Sequence, residues 1–540
     1  MRSRGALAAL ALLAVAAPAL VTPTAAHADS GTVATATSAQ HQPGKHHLDR
    51  DKHRDKHRDK GRQLARKLVQ RTSAGRAMRH LYAWQEMADE HGGHRAAGSP
   101  GHDASAEYAG RLLRAAGYDV TYQYFDFEYR ETLAETLRQL TPEQRDIGII
   151  AMSYTASTPE GGIEGALAAA PVDEDGSNGC EPEDFADGGF TGRIALIKRG
   201  GCTFALKQQN AAAAGAVAAI VYNNTEGPLN GTLGSPDETV LPTGGITLEA
   251  GEALAAGLAE GEVTVALELR EFRETRTTPN VIAETPGGDP ENVVMVGAHL
   301  DSVPEGPGIN DNGSGSGGVL ETALQLARAD RHGKAPNKVR FALWSAEEFG
   351  LLGAEHYVSE LTEEERGNIA LYLNFDMIAS PNYGIFVYDG DGSEGLSEPG
   401  PDGSAQIEHL INTFLDGKGK EPRPTAFSGR SDYGPFIDVG IPSGGTFTGA
   451  EGLKTEAQAE LWGGEAGVAY DACYHAECDD IDNLDLTAFE TNIDVIAHLV
   501  GMYAWSTGSL AEEVPAAGPA DPETAEQGGL HDDHGHAEAA

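Results

Sequence analysis

The chain has 540 residues, with 82 acidic against 39 basic side chains, a formal net charge of −43 and 40% hydrophobic residues. That length holds two or three domains and fills a sizeable core. The negative balance argues against nucleic acid and anionic membranes as partners, because both repel such a surface.

Residues 1–28 read as a signal peptide. Arg2 and Arg4 form a positive start, Ala6 to Leu20 is a short apolar run, and Ala26-His27-Ala28 is a small-x-small cleavage site. The run is too short and Ala-rich to span a bilayer, and no other stretch of about 18 apolar residues follows. The mature protein is therefore expected to be soluble, secreted and monomeric. Residues 29–63 carry no apolar period and include the four-residue repeat Asp51 to Lys60, so they are expected to be a disordered, charged pro-segment or spacer. A His-rich tract there could bind metal, but a solvated spacer is the plainer reading. Four cysteines suit an oxidising compartment; three connectivities are open, and local pairing of Cys180 with Cys202 and Cys473 with Cys478 is expected.

Order is expected from Leu64. Residues 76–90 place Met78, Leu81, Tyr82, Trp84 and Met87 at helical spacings. Gly92, Gly93 and Gly98-Ser99-Pro100 break the chain. A second helix is expected over 103–116, capped by Asp103 and ended by Gly117, and a strand over Val120–Phe127. Residues 145–265 change character. Short apolar runs at Ile147–Met152, Ile194–Ile197 and Ala218–Tyr222, with a helix from Phe204, suggest an inserted domain without metal chemistry of its own.

The main domain, 64–144 and 266–508, alternates strands and helices. Val293–Val296, Val339–Trp344 and Ala370–Phe375 are nearly continuous apolar strands, as in a parallel sheet covered on both faces. Gly318–Ala329 reads as a helix between two of them, and a last helix runs from Leu486 to Trp505. The predicted class is α/β: a mixed, mostly parallel central sheet with helices on both faces, plus a small inserted domain of strands and short helices. Residues 509–540 are expected to be a disordered acidic tail.

The chemistry sits at the strand ends. His299 follows VVMVGA, Glu347 and Glu348 follow RFALWSA, and Asp376 follows LYLNF, where ligand sites form in open α/β sheets. Asp311 lies in a Gly-rich loop before a helix, and His475 in CYHAEC. A single strand-end His is usually structural, and a Glu pair is usually a solvated pair. Asp376 is harder to dismiss, because Phe375 and Met377 flank it and a buried unpaired carboxylate is costly. Two imidazoles and three carboxylates suffice for a pair of Zn²⁺ ions, leaving one carboxylate to act as a base. Asp301 is placed to accept the N–H of the His299 imidazole.

The order H-x-D, N-D-N-G-S-G, E-E-x-G, N-x-D and a late C-Y-H, with GRSDYGPF, resembles the co-catalytic di-zinc aminopeptidases, above all secreted bacterial leucyl-type enzymes. The likeness covers about residues 64–145 and 266–508. It implies that His299 and Asp376 bind one zinc, Glu348 and His475 the other, and that Asp311 bridges them. Glu347 is then the general base and Tyr474 an oxyanion donor. Arg430, Met377 and Phe447 resemble substrate-side residues, and Cys473–Cys478 resembles a disulfide that fixes the His475 loop. The likeness also suggests a cis bond between Asp311 and Asn312. Residues 145–265 resemble a protease-associated domain, whose pattern bridges Cys180 and Cys202. This insertion departs from the smallest secreted aminopeptidases. A calcium site of some relatives would draw on Glu490 and Asp494.

The expected function is removal of N-terminal, apolar residues from peptides or proteins. Competing readings are a di-zinc carboxypeptidase or dipeptidase, for which Arg430 could hold a carboxylate, a single-zinc glutaminyl cyclase, and a non-catalytic receptor-like ectodomain.

Overall fold

The computed structural model describes residues 45–514 except 174–175 and 187–188. The expected signal peptide, the start of the spacer and nearly all of the acidic tail lie outside the described residues. By its contacts the chain divides into Met1–Asp51 and Lys52–Ala540. The first unit contributes only the opening of a helix to the described residues; the second is treated below.

That helix, Lys45–Val69, runs through the charge repeat where disorder was expected. Its last turns anchor it. Leu64, Ala65 and Leu68 are buried. A Cβ on Gly61 would lie 2.9 Å from the Met502 carbonyl, so helices touch there. Upstream, Asp59 and Arg62 pair at 3.3 Å across one turn, and Arg58 pairs with Glu512 at 3.3 Å. An apolar stripe only a few residues long thus carries polar helix beyond it. The helix Ala74–Glu90 follows as expected and buries Ala77, Leu81, Trp84 and Ala88. The next, Pro100–Ala116, starts earlier than expected. Ser99, not Asp103, caps it by accepting from the His102 N–H at 3.2 Å, and Pro100 presets the first turn.

Strand β1 (Asp119–Thr141) extends far past Phe127. Beyond it come the strands of the inserted domain: β2 (Arg145–Ile147), β3 (Ile150–Ala151), β4 (Ile163–Ala169), β5 (Ile194–Lys198), β6 (Ala218–Tyr222) and β7 (Thr243–Ile246). Strands β4 to β7 are parallel neighbours, with β3 antiparallel at the edge. Helices Phe204–Ala213 and Leu248–Glu260 are capped by Thr203 and Thr247. The chain returns along β8 (Thr264–Glu284), which pairs antiparallel with β1 from Asp119↔Glu284 to Thr141↔Thr264. This two-stranded arm escaped sequence reasoning because its Arg and Glu residues alternate without an apolar run. They pair along the ladder, as Arg130 does with Glu128 at 2.8 Å and Arg273 with Glu271 at 2.5 Å. The inner part of the arm buries Phe125, Phe127 and Tyr129 against Ala346, with Phe349 packed on them.

The remaining strands are β9 (Asp289–His299), β10 (Asn337–Trp344), β11 (Ile369–Phe375), β12 (Phe386–Tyr388), β13 (Arg423–Thr425) and β14 (Ser443–Phe447). Their order is β13-β12-β14-β11-β9-β10-β8, with β14, β11, β9 and β10 parallel. Alternate residues of β9 enter two cores. Val294, Val296 and Ala298 join the core containing the helix Gly315–Ala329, while Val293 and Met295 face Trp344, Tyr372 and Phe436. A strand buried on both faces reads as a continuous apolar run. The register aligns the carboxyl ends, with Trp344 opposite His299 and Asn374 opposite Gly297.

Candidate metal centre

His299 ends β9, Glu347 and Glu348 follow β10, and Asp376 follows β11 directly. Asp311 lies in the buried segment Ile309–Ser314. His475 lies in the short loop closed by the Cys473–Cys478 disulfide. Ala346, Met377 and His475 have positive φ values of 57°, 46° and 55°. Strained backbone of this kind collects at functional sites.

The fold brings these side chains to one place. His299 Nε2 lies 3.2 Å from Asp311 Oδ1, 3.2 Å from Asp376 Oδ1 and 3.8 Å from Glu347 Oε2. His475 Nε2 lies 3.3 Å from Asp311 Oδ2 and 3.1 Å from Glu348 Oε2. The two oxygens of Asp311 therefore face two different imidazoles. Glu348 Oε1 is buried and accepts no hydrogen bond.

The electrostatics call for cations. Burial opposes charge on His299, yet Asp376 and Glu347 outweigh it and hold the ring well above the usual imidazole range. Burial likewise opposes charge on His475, and Glu348 and Asp311 overcome it. Burial pushes the Glu347 carboxyl well up; His299 opposes this, and Asp376 and Asp432 reinforce it. Burial, aided by Asp311, raises Glu348 to about 7. Burial would raise Asp311 too, but hydrogen bonds with His299 and His475 hold it below the usual carboxylate range. Crowded buried carboxylates beside imidazoles, with one oxygen orphaned, fit a bound divalent cation. Nitrogen and carboxylate oxygen donors together fit zinc.

A second layer holds the donors. His299 Nδ1 lies 3.2 Å from the Asp301 carbonyl and 3.7 Å from its Oδ1, so the main chain of Asp301 is nearer than the expected carboxylate. That Oδ1 accepts from the Glu347 N–H at 3.3 Å instead, tying the β9 and β10 ends together. The Asp311–Asn312 bond is cis. Asn312 Nδ2 donates to the Phe375 carbonyl at 3.0 Å, and its Oδ1 accepts from Gly315 at 2.9 Å. At Gly315 a Cβ would stand 2.1 Å from that same carbonyl, so only glycine fits.

Sequence reasoning missed several supporting residues. Asp479 accepts from the backbone N–H groups of Asn310 at 2.8 Å and Asp311 at 2.9 Å. Burial and Asp471 raise its carboxyl to about 8. Ser431 donates to Asp376 Oδ2 at 2.6 Å and accepts from Asn374 Nδ2 at 2.8 Å. Its position in GRSDYGPF was the available signal. Asp432, also in that phrase, is buried, and neither of its oxygens finds a hydrogen-bond partner.

A cavity of about 270 Å³ opens beside these groups, lined by Met377, Tyr388, Leu396, Arg430, Phe447 and Tyr474 among others. Met377, Phe447 and Arg430, expected on the substrate side, thus line this cavity. Tyr474 stacks on the His475 ring at 3.8 Å between centroids. Cys180 and Cys202 are also joined. The calcium expectation fails to gather support. Asp494 pairs with Lys418, Glu490 accepts from the Ala74 N–H, and neither belongs to a metal-holding group among the described residues.

The family model for peptidase family M28 matches residues 280–500, and that for the PA domain matches 163–254. A probable lipoprotein aminopeptidase, LpqL, of Mycobacterium tuberculosis is 44% identical over 447 residues, covering 81% of this chain and 86% of that protein. The chain belongs to peptidase family M28. Leucine aminopeptidase 2 of Trichophyton equinum is 45% identical to this M28 chain over 423 residues, covering 78% of it and 82% of the relative. The zinc aminopeptidase BSAP of Bacillus subtilis shares the fold at a TM-score of 0.56 and 29% identity, over 79% of this chain and 95% of that one. The M28 protein is accordingly a zinc-dependent aminopeptidase with an inserted PA domain. The relatives' names favour the aminopeptidase reading over the carboxypeptidase, dipeptidase, glutaminyl cyclase and receptor readings.

Proposed function

We propose that the protein is a secreted, monomeric aminopeptidase that removes apolar N-terminal residues with two zinc ions. The observation that carries the two-ion reading is Asp311, whose oxygens face His299 at 3.2 Å and His475 at 3.3 Å. His299 and Asp376 would hold one ion, Glu348 and His475 the other, and Asp311 would be shared. When bound, the ions supply Lewis acidity for water activation and carbonyl polarisation. Glu347, buried beside His299, takes the proton of the attacking water and returns it to the leaving amine. The Tyr474 hydroxyl donates to the developing oxyanion. Asp301, through its hydrogen bond to the Glu347 N–H, keeps the base in line.

The apolar preference is supported by Met377, Tyr388, Leu396 and Phe447 on the cavity wall, and by a relative named leucine aminopeptidase. Secretion is supported by the signal-peptide pattern of residues 1–28 and by two disulfides. No described helix is long and apolar enough to cross a membrane. The lipoprotein name of the mycobacterial relative keeps the cell envelope as a second location to test.

The test is elemental analysis with hydrolysis of leucine p-nitroanilide before and after chelation. Two zinc atoms per chain, loss of activity on chelation and its return with zinc are expected. A single zinc, or hydrolysis of N-acetyl-leucine p-nitroanilide at the rate of the free amine, would overturn the proposal.

A further inference from the structure

Arg430 is the one lysine or arginine among the described residues lining the cavity. Its Nη1 donates to Glu451 Oε1 at 2.9 Å, and its Nη2 faces Tyr474 Oη at 3.4 Å. A guanidinium carries donors only, so the phenol oxygen is the acceptor in that contact. The Tyr474 ring is fixed separately, stacked on His475 with 27° between the planes. His475 thus helps set the plane of the phenol, and Arg430 helps hold its oxygen. The guanidinium in turn is aimed by Glu451, which follows β14 on the same cavity wall. A planar fork held at one edge by a carboxylate presents its other edge in a fixed direction.

We propose that Glu451 is a positioning residue: it holds the Arg430 guanidinium against Tyr474 and, by pairing with it, denies the cavity a free cation for a substrate carboxylate. The proposal rests on the oxyanion role given to Tyr474 above. It gives Glu451 two effects that a merely structural residue would not combine. One is on turnover, because the donor to the oxyanion is misaimed when Arg430 swings free. The other is on substrate choice, because a freed Arg430 can pair with the carboxylate of a short peptide one residue beyond the scissile bond. The wild-type pairing therefore favours long or amidated chains over free dipeptides, as suits an enzyme that works on N-termini.

The experiment compares the zinc-loaded full-length enzyme with Glu451→Ala, Glu451→Gln and Glu451→Asp on leucine p-nitroanilide, leucyl-glycine and leucyl-glycinamide. Glu451→Gln keeps the side-chain size and serves if the alanine variant fails to fold. For Ala and Gln, kcat on the anilide should fall roughly tenfold with KM within about twofold, part of the 10²–10³ lost when an oxyanion donor is removed outright. The KM ratio of leucyl-glycine to leucyl-glycinamide should fall severalfold, and Glu451→Asp should recover most of both effects. Unchanged turnover, or an unmoved ratio, overturns the proposal. A wild-type enzyme inactive on every substrate would instead overturn the aminopeptidase mechanism beneath it.

Discussion

Strands β5, β6 and β7 of the inserted domain resemble β9, β10 and β11 of the peptidase domain: each set is parallel and buried, and helices follow in both. They part at their carboxyl ends. After β5, Arg199 Nη1 donates to Asn223 Oδ1 at 3.3 Å. After β6, Asn223 Nδ2 donates to the Pro228 carbonyl at 3.1 Å. After β7, Thr247 caps a helix. Every one of these polar groups is satisfied by its own neighbourhood. After β9, β10 and β11 stand His299, Glu347 with Glu348, and Asp376, which face one another and leave Glu348 Oε1 without a partner. A strand end offers a place for chemistry. What makes it a site is polar groups whose needs the fold leaves unmet.

Replacing one such group should have the largest effect. Glu347→Gln should lower kcat by about two to four orders of magnitude, the range for a lost acid/base, with zinc content unchanged. Loss of one zinc equivalent would mean that Glu347 and Glu348 exchange roles. The two disulfides sharpen the contrast further. Opening Cys473–Cys478 with a double serine variant frees the loop of His475 and should cost about tenfold or more in kcat, since small misplacements of catalytic groups are expensive. The same change at Cys180 and Cys202 touches no residue of the cavity and should leave hydrolysis of leucine p-nitroanilide within about twofold. Equal losses in both variants would show that the inserted domain shapes the site.

A third measurement reads stability. His498, stacked on Phe414 at 4.2 Å, has its pKa lowered to about 4 by burial and by Lys418. In the unfolded chain it titrates near 6.5, so protonation favours unfolding. Its contribution is complete above about pH 6.5 and fades as pH falls toward about 4, amounting to at most about 3 kcal/mol. Thermal melts of wild type and His498→Asn across that window should diverge in slope; parallel curves would remove His498 from the account. The smallest effect is expected from deleting residues 29–60. Within the described residues this removes the Arg58–Glu512 pair and the His57 contact with Trp505 but spares Gly61, Leu64 and Leu68. A melting temperature lower by more than a few degrees would show that the polar helix does more than extend an anchored one.

The legible parts of the molecule were those with a period or a motif. The apolar strands before His299, Glu347 and Asp376 announced both the sheet and the site. Other features were hidden for physical reasons. The outer halves of β1 and β8 carry salt-bridged charges where strands usually carry apolar residues. Ser99 displaced Asp103 as a cap because Pro100 fixed the turn between them. Asp479, Ser431 and Glu451 act by hydrogen bonds across 20 or more positions of sequence, to Asp311, to Asp376, and to Arg430 and through it Tyr474, and no local pattern encodes such partners.

The arm formed by β1 and β8 makes the insertion a detachable cartridge. The chain departs and returns as hydrogen-bonded neighbours, so the intervening residues form a loop whose ends are already joined, and closure entropy grows only slowly with loop length. A tight turn where Arg130 faces Arg273 would reseal the parent fold. The splice has an inner limit. Phe127 and Tyr129 lie 5.2 and 5.3 Å from the ring of Phe349, the residue after Glu348, and these aromatics must stay behind to brace the turn that carries Glu347 and Glu348.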